Sequence, residues 1–416
     1  MGTGAPRLIT ADRSQIELRP FDLDSIIPQN HRARLLWQVL APFDLRKFEE
    51  PIKAREGEAG RAATDPRVLV ALWLYATADG VGAAREIDRL CREHRAYQWI
   101  CGKVPMNYHT LSDFRVKYGA ALDDLFTQIL GVLLHKGLLT LRRVSQDGLR
   151  VRASAGARSF RSEPTLKKCL ERAREQVRAV EKLRDDPTVS ARQRAAREHA
   201  ARERERRVSE ALTALTTLQQ RRERKHGGQT AKGVPRGSMT DAQAHKMHMP
   251  DGGFRPAYNL QFAADTAAGV IVGVAVSDVG SDAGLAKPMI EQIHQRTGVQ
   301  PREFLGDGGY PDTKTVNALD QMGITLYAPV TARGDADPYH PRPKDSAAVR
   351  RWRERMQRKE ALEIYKQRAA TSERVNADVR THRTLDRLLV RGLSKVTCVA
   401  LWNAIAFNLL WMVSRT

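Results

Sequence analysis

Two aspartates each follow an apolar, strand-like run and are followed at once by glycine. Asp147-Gly148 comes after Leu141–Gln146, and Asp307-Gly308-Gly309-Tyr310 comes after Glu303–Gly306. If the two strands are neighbours in one sheet, both carboxylates meet at one edge, and a third acid from a packed helix would complete an all-oxygen site. An aspartate before glycine is also common turn chemistry. Spacing alone does not select these acids from the 48 in the chain.

A site of this kind suits Mg²⁺ or Mn²⁺, which bind carboxylates, phosphate oxygens and water. Two such ions would hold the attacking and leaving oxygens of an in-line phosphoryl transfer, and would lower the pKa of an attacking water or 3′-hydroxyl. The chain has no Walker-type glycine-rich loop, so nucleotide hydrolysis is not indicated.

The charge balance indicates a polyanionic partner. The 416 residues include 69 Lys and Arg against 48 Asp and Glu, a formal net charge of +21. Such an excess favours nucleic acid binding, although a merely basic surface gives the same number. The composition, 42% hydrophobic, is that of a globular protein.

Cysteine and histidine give little support for a structural metal. The four cysteines form no CxxC pair, which is typical of a reducing compartment and argues against a disulfide framework. His245 and His248 lie three residues apart without an evident third ligand, so a solvated or phosphate-contacting role is favoured over zinc. No secretory signal is visible at the N-terminus. The apolar stretch Val396–Val413 is interrupted by Asn403 and Asn408, which favours a buried core helix over a membrane span.

The residues from 20 to 140 predict a block of short helices. Asp65-Pro66 marks a helix start before an apolar run, and Asp79-Gly80 marks its end. Later helices in the block are basic, which is compatible with a helix-turn-helix on DNA and equally with an ordinary helical bundle. Arg115 and Lys117 are the predicted DNA contacts here.

From residue 140 onward the pattern becomes mixed α/β, with one interruption. We predict three regions: a helical DNA-binding domain at 1–138, a catalytic domain formed by 139–163 and 226–416, and a helical hairpin insertion at 164–225. The hairpin is rich in Arg, Lys and Glu, which also fits a solvated coiled coil with charges paired along its own faces.

Several short motifs, in this order, resemble one family. They are Ala71-Leu72-Trp73-Leu74-Tyr75 with Arg85-Glu86-Ile87 and Phe114-Arg115, then Asp147-Gly148, then Ser238-Met239-Thr240-Asp241 with Tyr258-Asn259-Leu260-Gln261, and Gly306-Asp307-Gly308-Gly309-Tyr310. Together they resemble a DDE-type bacterial insertion-sequence transposase. The resemblance implies a ribonuclease H-like mixed α/β sheet with flanking helices, interrupted by the hairpin and preceded by an all-α domain. Asp147 and Asp307 would be its first two catalytic, metal-binding acids.

The resemblance also selects the third acid. Related families carry a helical signature of Tyr, Arg, Glu and Lys, and Tyr365, Arg368, Glu373 and Arg380 follow that order. Four residues instead of three separate Arg368 from Glu373, and Arg380 replaces Lys, although Arg also binds phosphate. Glu373 is therefore the predicted third acid, with Glu360 and Glu363 as competitors.

Further DNA contacts are predicted within the catalytic domain. The predicted set is Arg150, Arg152, Tyr365, Arg368 and Arg380.

The implied function is transposition. The protein would bind the terminal inverted repeats of an insertion sequence, cleave at the element ends with two Mg²⁺ or Mn²⁺ ions, and join the freed 3′-hydroxyl to target DNA. Bringing two ends together implies at least a homodimer on double-stranded DNA, in the bacterial cytoplasm at the nucleoid and without a membrane partner. Two alternatives stay open: a catalytically inactive, transposase-derived DNA-binding protein, and a ribonuclease H-like nuclease or resolvase that cleaves without joining.

Overall fold

The computed structural model describes residues 14, 22–57, 61–182, 189–226, 234–332 and 337–415. The helices in these ranges are α1 Arg32–Leu40, α2 Arg46–Glu49, α3 Pro66–Ala78, α4 Ala84–Glu93, α5 Arg95–Cys101, α6 Tyr108–Lys117, α7 Gly119–His135, α8 Glu163–Lys182, α9 Ala191–His226, α10 Ala286–Thr297, α11 Thr313–Gln321, α12 Ala347–Met356, α13 Lys359–Arg368, α14 Arg374–Thr381 and α15 Leu393–Val413. The strands are β1 Arg143–Arg152, β2 Phe160–Arg161, β3 Gly237–Ser238, β4 His245–His248, β5 Phe254–Asp265, β6 Ile271–Ser277, β7 Glu303–Leu305 and β8 Thr325–Tyr327. One π-helical turn, Ala369–Glu373, joins α13 to α14.

The main sheet is mixed, and β1 lies at its centre. One edge of β1 pairs antiparallel with β5, and the start of its other edge pairs parallel with β7, which in turn pairs parallel with β8. The far edge of β5 pairs with β4 and then with β6. The sheet thus has three antiparallel strands, β6, β5 and β1, followed by the two parallel strands β7 and β8, with helices on its faces. This is the ribonuclease H-like fold that the family resemblance implies.

The N-terminal helices form as the caps and apolar runs predict. The Asp65 side chain accepts a hydrogen bond from the Arg67 amide at the start of α3, which begins with Pro66 and is buried along almost its whole length. The predicted boundary at residue 138 falls between α7 and β1. Residues on both sides of that boundary belong to one continuous hydrophobic cluster.

Helix α15 connects these two parts because it is apolar on all sides. It packs against α3 and α7 on one side and against β6 on the other. By length and composition alone it could cross a membrane, but 72% of its most apolar window is buried inside the fold. Both asparagines of α15 make hydrogen bonds to the residues packed against the helix. Asn408 exchanges hydrogen bonds of 3.0 and 2.7 Å with the backbone of Ile271, and Asn403 donates one of 3.0 Å to the Thr384 hydroxyl.

The insertion is an antiparallel helical hairpin of α8 and α9. The two helices pack side by side, and cross-helix pairs such as Arg174 with Glu205 join them. At the base, Leu166, Ala211 and Leu215 are buried in a small cluster together with Met239. The base of the hairpin is therefore attached by this apolar cluster and by an ion pair between Arg221 of α9 and Asp278.

One local expectation was wrong. Asp147 does not end a strand: β1 runs from Arg143 to Arg152 without a break, because Gly148 stays paired with Gln261 on β5.

Candidate active site

Asp147 and Asp307 lie at matching positions on neighbouring strands. The last paired position of the parallel strands β1 and β7 joins Ser145 to Leu305, and each aspartate lies two residues further along. Neighbouring strands lie about 4.8 Å apart, so Asp307, just past the end of β7, lies beside the middle of β1, and its charge acts on the Asp147 carboxyl. The condition stated from the sequence, that the two strands be neighbours, is met.

Asp147 is a mostly buried carboxylate with two partners from the covering helices. Its Oδ1 lies 3.1 Å from Nη2 of Arg368, and its Oδ2 accepts a hydrogen bond of 3.0 Å from Nδ2 of Asn376. Burial raises the pKa of Asp147, Arg368 lowers it, and the nearby charge of Asp307 raises it again. The result is a carboxyl pKa above the ordinary value, which a positive charge at the site would reduce.

The π-helical turn brings Glu373 to the same place. Nη1 of Arg368 donates a hydrogen bond of 2.8 Å to Oε1 of Glu373, five residues later. In an α-helix, residues three and four apart share a face, whereas a π-turn widens the turn by one residue and often marks a functional site. The four-residue spacing that departs from the family signature is therefore absorbed by the backbone, and Glu373 remains beside Arg368.

Further contacts hold these helices on β1. Nη1 of Arg143 donates to Oε1 of Gln367 at 2.6 Å, and the hydroxyls of Ser145 and Ser372 are hydrogen-bonded to each other. Ser145 and Ser372 are fully or almost fully buried. The residues just before Asp147 thus contact the residue just before Glu373, which sets the separation of the two acids.

The competitors for the third acid point elsewhere. Glu363 is exposed and pairs with Lys366 at 2.6 Å, and Glu360 lies exposed in the first turn of α13. Neither has a recorded contact with Asp147 or Arg368. Glu373, with 55% of its side chain exposed, is the glutamate that joins a buried network and still faces outward.

The carboxylate oxygens of this site are ligands that suit a divalent cation. The guanidinium of Arg368 lies between two of these carboxylates. Within the described ranges, no three acidic, histidine or cysteine side chains form a ready-made metal site. Instead Asp147 and Glu373 share Arg368, whose side chain is 13% exposed. Carboxylates gathered around one positive charge have the all-oxygen chemistry that Mg²⁺ and Mn²⁺ require. The residues therefore fit a divalent ion, provided that Arg368 gives up this position.

The two predicted DNA contacts of the N-terminal block differ in exposure, since Arg115 is buried and Lys117 is exposed. Arg115 is 8% exposed, donates a hydrogen bond to the carbonyl of Gly82 and lies 5.0 Å from the ring centroid of Trp73. Burial lowers its pKa to about 10. This burial contradicts the predicted DNA contact, because the aromatic core of the block holds the guanidinium. Lys117 is exposed, and its contact with DNA stays a prediction.

The predicted contacts on β1 and the helices are engaged within the protein. Arg150 donates to the carbonyls of His248 and Gly280, Arg152 pairs with Asp251 at 2.9 Å, and Arg380 donates to the carbonyl of Arg150. Tyr365 is partly buried, and burial raises its pKa. Their roles toward DNA stay predictions.

The two histidines do not come together as ligands. Nδ1 of His245 lies 2.7 Å from the carbonyl oxygen of Asp278, and His248 packs edge-on against Phe254.

Sequence reasoning missed two groups at the site. Asn376 is 9% exposed and contacts Asp147 directly, and its position three residues after Glu373 could have indicated it. Asp282 is buried, and its carboxylate lies beside Gly148. No sequence pattern pointed to that position.

Comparison with known families agrees with this geometry. Residues 229–409 match the transposase DDE domain, and residues 21–117 match a second transposase domain of the N-terminal region. The chain belongs to the DDE-type insertion-sequence transposases. No curated protein and no solved structure significantly matches the chain.

Three general properties follow from membership of this family. A DDE transposase is a polynucleotidyl transferase, transposases bind DNA, and DDE enzymes generally use divalent metal ions. The DDE match includes Asp307 and Glu373 but begins after Asp147. The position of Asp147 in the site therefore depends on the strand register and on its contacts with Arg368 and Asn376.

Proposed function

We propose that this transposase binds the terminal inverted repeats of an insertion sequence, cleaves the element ends and transfers the freed 3′-hydroxyls to target DNA. Asp147, Asp307 and Glu373 are the metal-binding acids of both steps. The observation that carries the proposal is the Arg368 guanidinium, which contacts both Asp147 and Glu373 beside the end of β7, where Asp307 lies.

The three acids differ in what they contribute. Asp147 is held from two sides and is the rigid member of the set, whereas Glu373 is the exposed member at the surface that DNA can reach. Two bound Mg²⁺ or Mn²⁺ ions supply charge neutralisation and a deprotonated water or 3′-hydroxyl. When Arg368 leaves Asp147, its planar fork is free to bind a DNA phosphate bidentately.

Affinity for DNA comes mainly from the basic surface. With a formal charge of +21, the chain should bind duplex DNA through phosphate contacts and lose affinity steeply as salt rises. Lys117, Arg152 and Arg380 are the proposed contributors near the helical block and β1. The working state is a homodimer or higher oligomer that holds two element ends, in the bacterial cytoplasm at the nucleoid.

The test uses the purified full chain and DNA carrying the inverted repeats that flank its gene. We expect Mg²⁺-dependent nicking at the element ends and joining of a pre-cleaved end to target DNA. Asp147→Asn, Asp307→Asn and Glu373→Gln should each reduce both activities at least about a thousandfold while DNA binding persists. Glu363→Gln is the matched control on the same helical segment, and it should retain activity.

Each alternative predicts a different result. A catalytically inactive DNA-binding protein would bind the repeats and never cleave them. A nuclease or resolvase would cleave in a manner dependent on Asp147 but would form no joined products. If Glu363→Gln loses activity and Glu373→Gln keeps full activity, then Glu363 and not Glu373 is the third acid.

A further inference from the structure

A second carboxylate network lies on the opposite side of β1 from the Asp147 carboxylate. Asp282, in the loop before α10, is 7% exposed. Its Oδ1 accepts hydrogen bonds from Nδ2 of Asn259 at 2.8 Å and from Nε2 of Gln261 at 2.6 Å. Asn259 and Gln261 lie on one face of β5, opposite Arg150 and Gly148 of β1. The network therefore lies directly against the strand that carries Asp147.

The glycines that follow the two catalytic aspartates make room for this carboxylate. A Cβ atom on Gly148 would lie 2.5 Å from Oδ1 of Asp282 and 2.5 Å from Nε2 of Gln261. A Cβ atom on Gly309 would lie 3.3 Å from Oδ2 of Asp282 and 3.0 Å from Oδ1 of Asp307. Asp282 thus presents one carboxylate oxygen to Gly148 and the other to Gly309, in space that a side chain at Gly148 would occupy.

Tyr310 ties the second aspartate loop into the same network. Its hydroxyl donates a hydrogen bond to Oε1 of Gln261, which also accepts 2.7 Å from Nε2 of Gln146. The Tyr310 ring is fully buried and packs edge-on against Phe304 of β7. Two motifs that the sequence separates by about fifty residues, Tyr258–Gln261 and Asp307–Tyr310, are therefore joined by one hydrogen bond.

The charge of Asp282 has no ionic partner in the part of the chain that the structure describes. Its recorded side-chain partners are neutral amides, and no lysine or arginine forms an ion pair with it there. A buried negative charge beside two metal-binding aspartates attracts a divalent cation more strongly than an amide at the same position would. Groups that orient metal ligands without touching the ion commonly change metal affinity by about 10- to 100-fold.

We infer that Asp282 is a positioning residue, which holds the Asp147-Gly148 and Asp307–Tyr310 segments at their working separation and adds negative potential for the divalent cation. The inference rests on the proposed function for the identity of the metal-binding acids. Asp282 acts through Asn259, Gln261 and Tyr310 rather than by contact with DNA.

Metal binding is the direct test, because it needs no cleavage. Free Mn²⁺ is titrated by electron paramagnetic resonance against the full chain, with and without duplex DNA. We expect Asp282→Asn, which keeps size and shape, to weaken Mn²⁺ binding about tenfold. Tyr310→Phe removes only the hydroxyl and should also weaken it, so a folded second variant is available if Asp282→Asn is unstable. Asp278→Asn is the matched control: it changes a nearby acid that pairs with Arg221 instead, and should leave Mn²⁺ binding unchanged.

The possible results separate this inference from the proposed function. Unchanged Mn²⁺ affinity in Asp282→Asn and Tyr310→Phe overturns the inference, even if strand transfer is demonstrated. Weaker binding in both variants, with DNA affinity unchanged and Asp147→Asn losing the site, supports it, even if the wild type joins no DNA. A wild type that binds no Mn²⁺ under either condition overturns both.

Discussion

Arg368 donates a hydrogen bond of 2.8 Å to Glu373 across a single π-helical turn. The same guanidinium contacts Asp147 on the central strand. An insertion of one residue between the arginine and the glutamate therefore leaves the acid in place, because the widened turn takes up the additional residue.

Removing the additional residue should convert the π-turn into regular α-helix. Ala370 is exposed, so its deletion removes no buried contact. We expect the Ala370 deletion to retain strand transfer within about tenfold of the wild type, since Arg368 and Glu373 would then lie four residues apart on one helical face. Deletion of exposed Ala377, in the regular helix α14, is the control and should abolish activity by rotating Val379 out of the core. Equal loss in both deletions would show that the π-turn does not compensate the spacing.

Arg368 should stabilise the protein most when metal is absent. Replacing it by Gln leaves Asp147 without its ionic partner in a mostly buried position, and we expect a loss of about 3 kcal/mol in the free energy of unfolding in EDTA. Added Mg²⁺ should recover part of that loss by supplying the missing positive charge. Denaturant unfolding of Arg368→Gln with and without Mg²⁺ measures this. Arg351→Gln, which breaks the exposed pair with Asp320, should change stability by less than about 1 kcal/mol.

The raised pKa of Asp147 sets a direction for pH dependence. Because the folded protein holds this proton to a higher pH than the unfolded chain does, Asp147 favours folding at low pH, and that contribution is lost as the pH rises from 3.8 through the raised pKa. In EDTA, the stability of the wild type relative to Asp147→Asn should therefore fall over this interval. Mn²⁺ affinity should show the opposite trend, weakening as the pH falls through the same raised pKa. A parallel pH profile for the two proteins would contradict the assignment.

Asn408 should contribute more to stability than its neighbour Asn403. Asn408 satisfies both backbone groups of Ile271 at the edge of β6, whereas Asn403 donates to the Thr384 hydroxyl and to a carbonyl of its own helix. Replacing Asn408 by Ala leaves two buried backbone groups unpaired. We expect it to cost about 2 kcal/mol more in unfolding free energy than Asn403→Ala, which creates a cavity of the same size. Similar losses in the two variants would mean that Ile271 finds other partners.

The sequence predicted the elements that depend on local patterns. The Asp65-Pro66 helix start and the hairpin of α8 and α9 are confirmed. The continuation of β1 through Asp147-Gly148 was not predictable, because Gly148 is kept extended by pairing with Gln261, a residue more than a hundred positions away.

The resemblance to a transposase family nominated Asp147, Asp307 and Glu373, because spacing alone does not select them from the 48 acids of the chain. Their grouping depended on tertiary structure. The β1–β7 register aligns the aspartates, the π-turn places Glu373 beside Arg368, and burial turned Arg115 into a core residue. Asp282 could be identified only from the folded chain, because its inferred role depends on its position beside Gly148 and Gly309. Local sequence carries propensity and charge, whereas distances between remote side chains are set by packing and strand pairing.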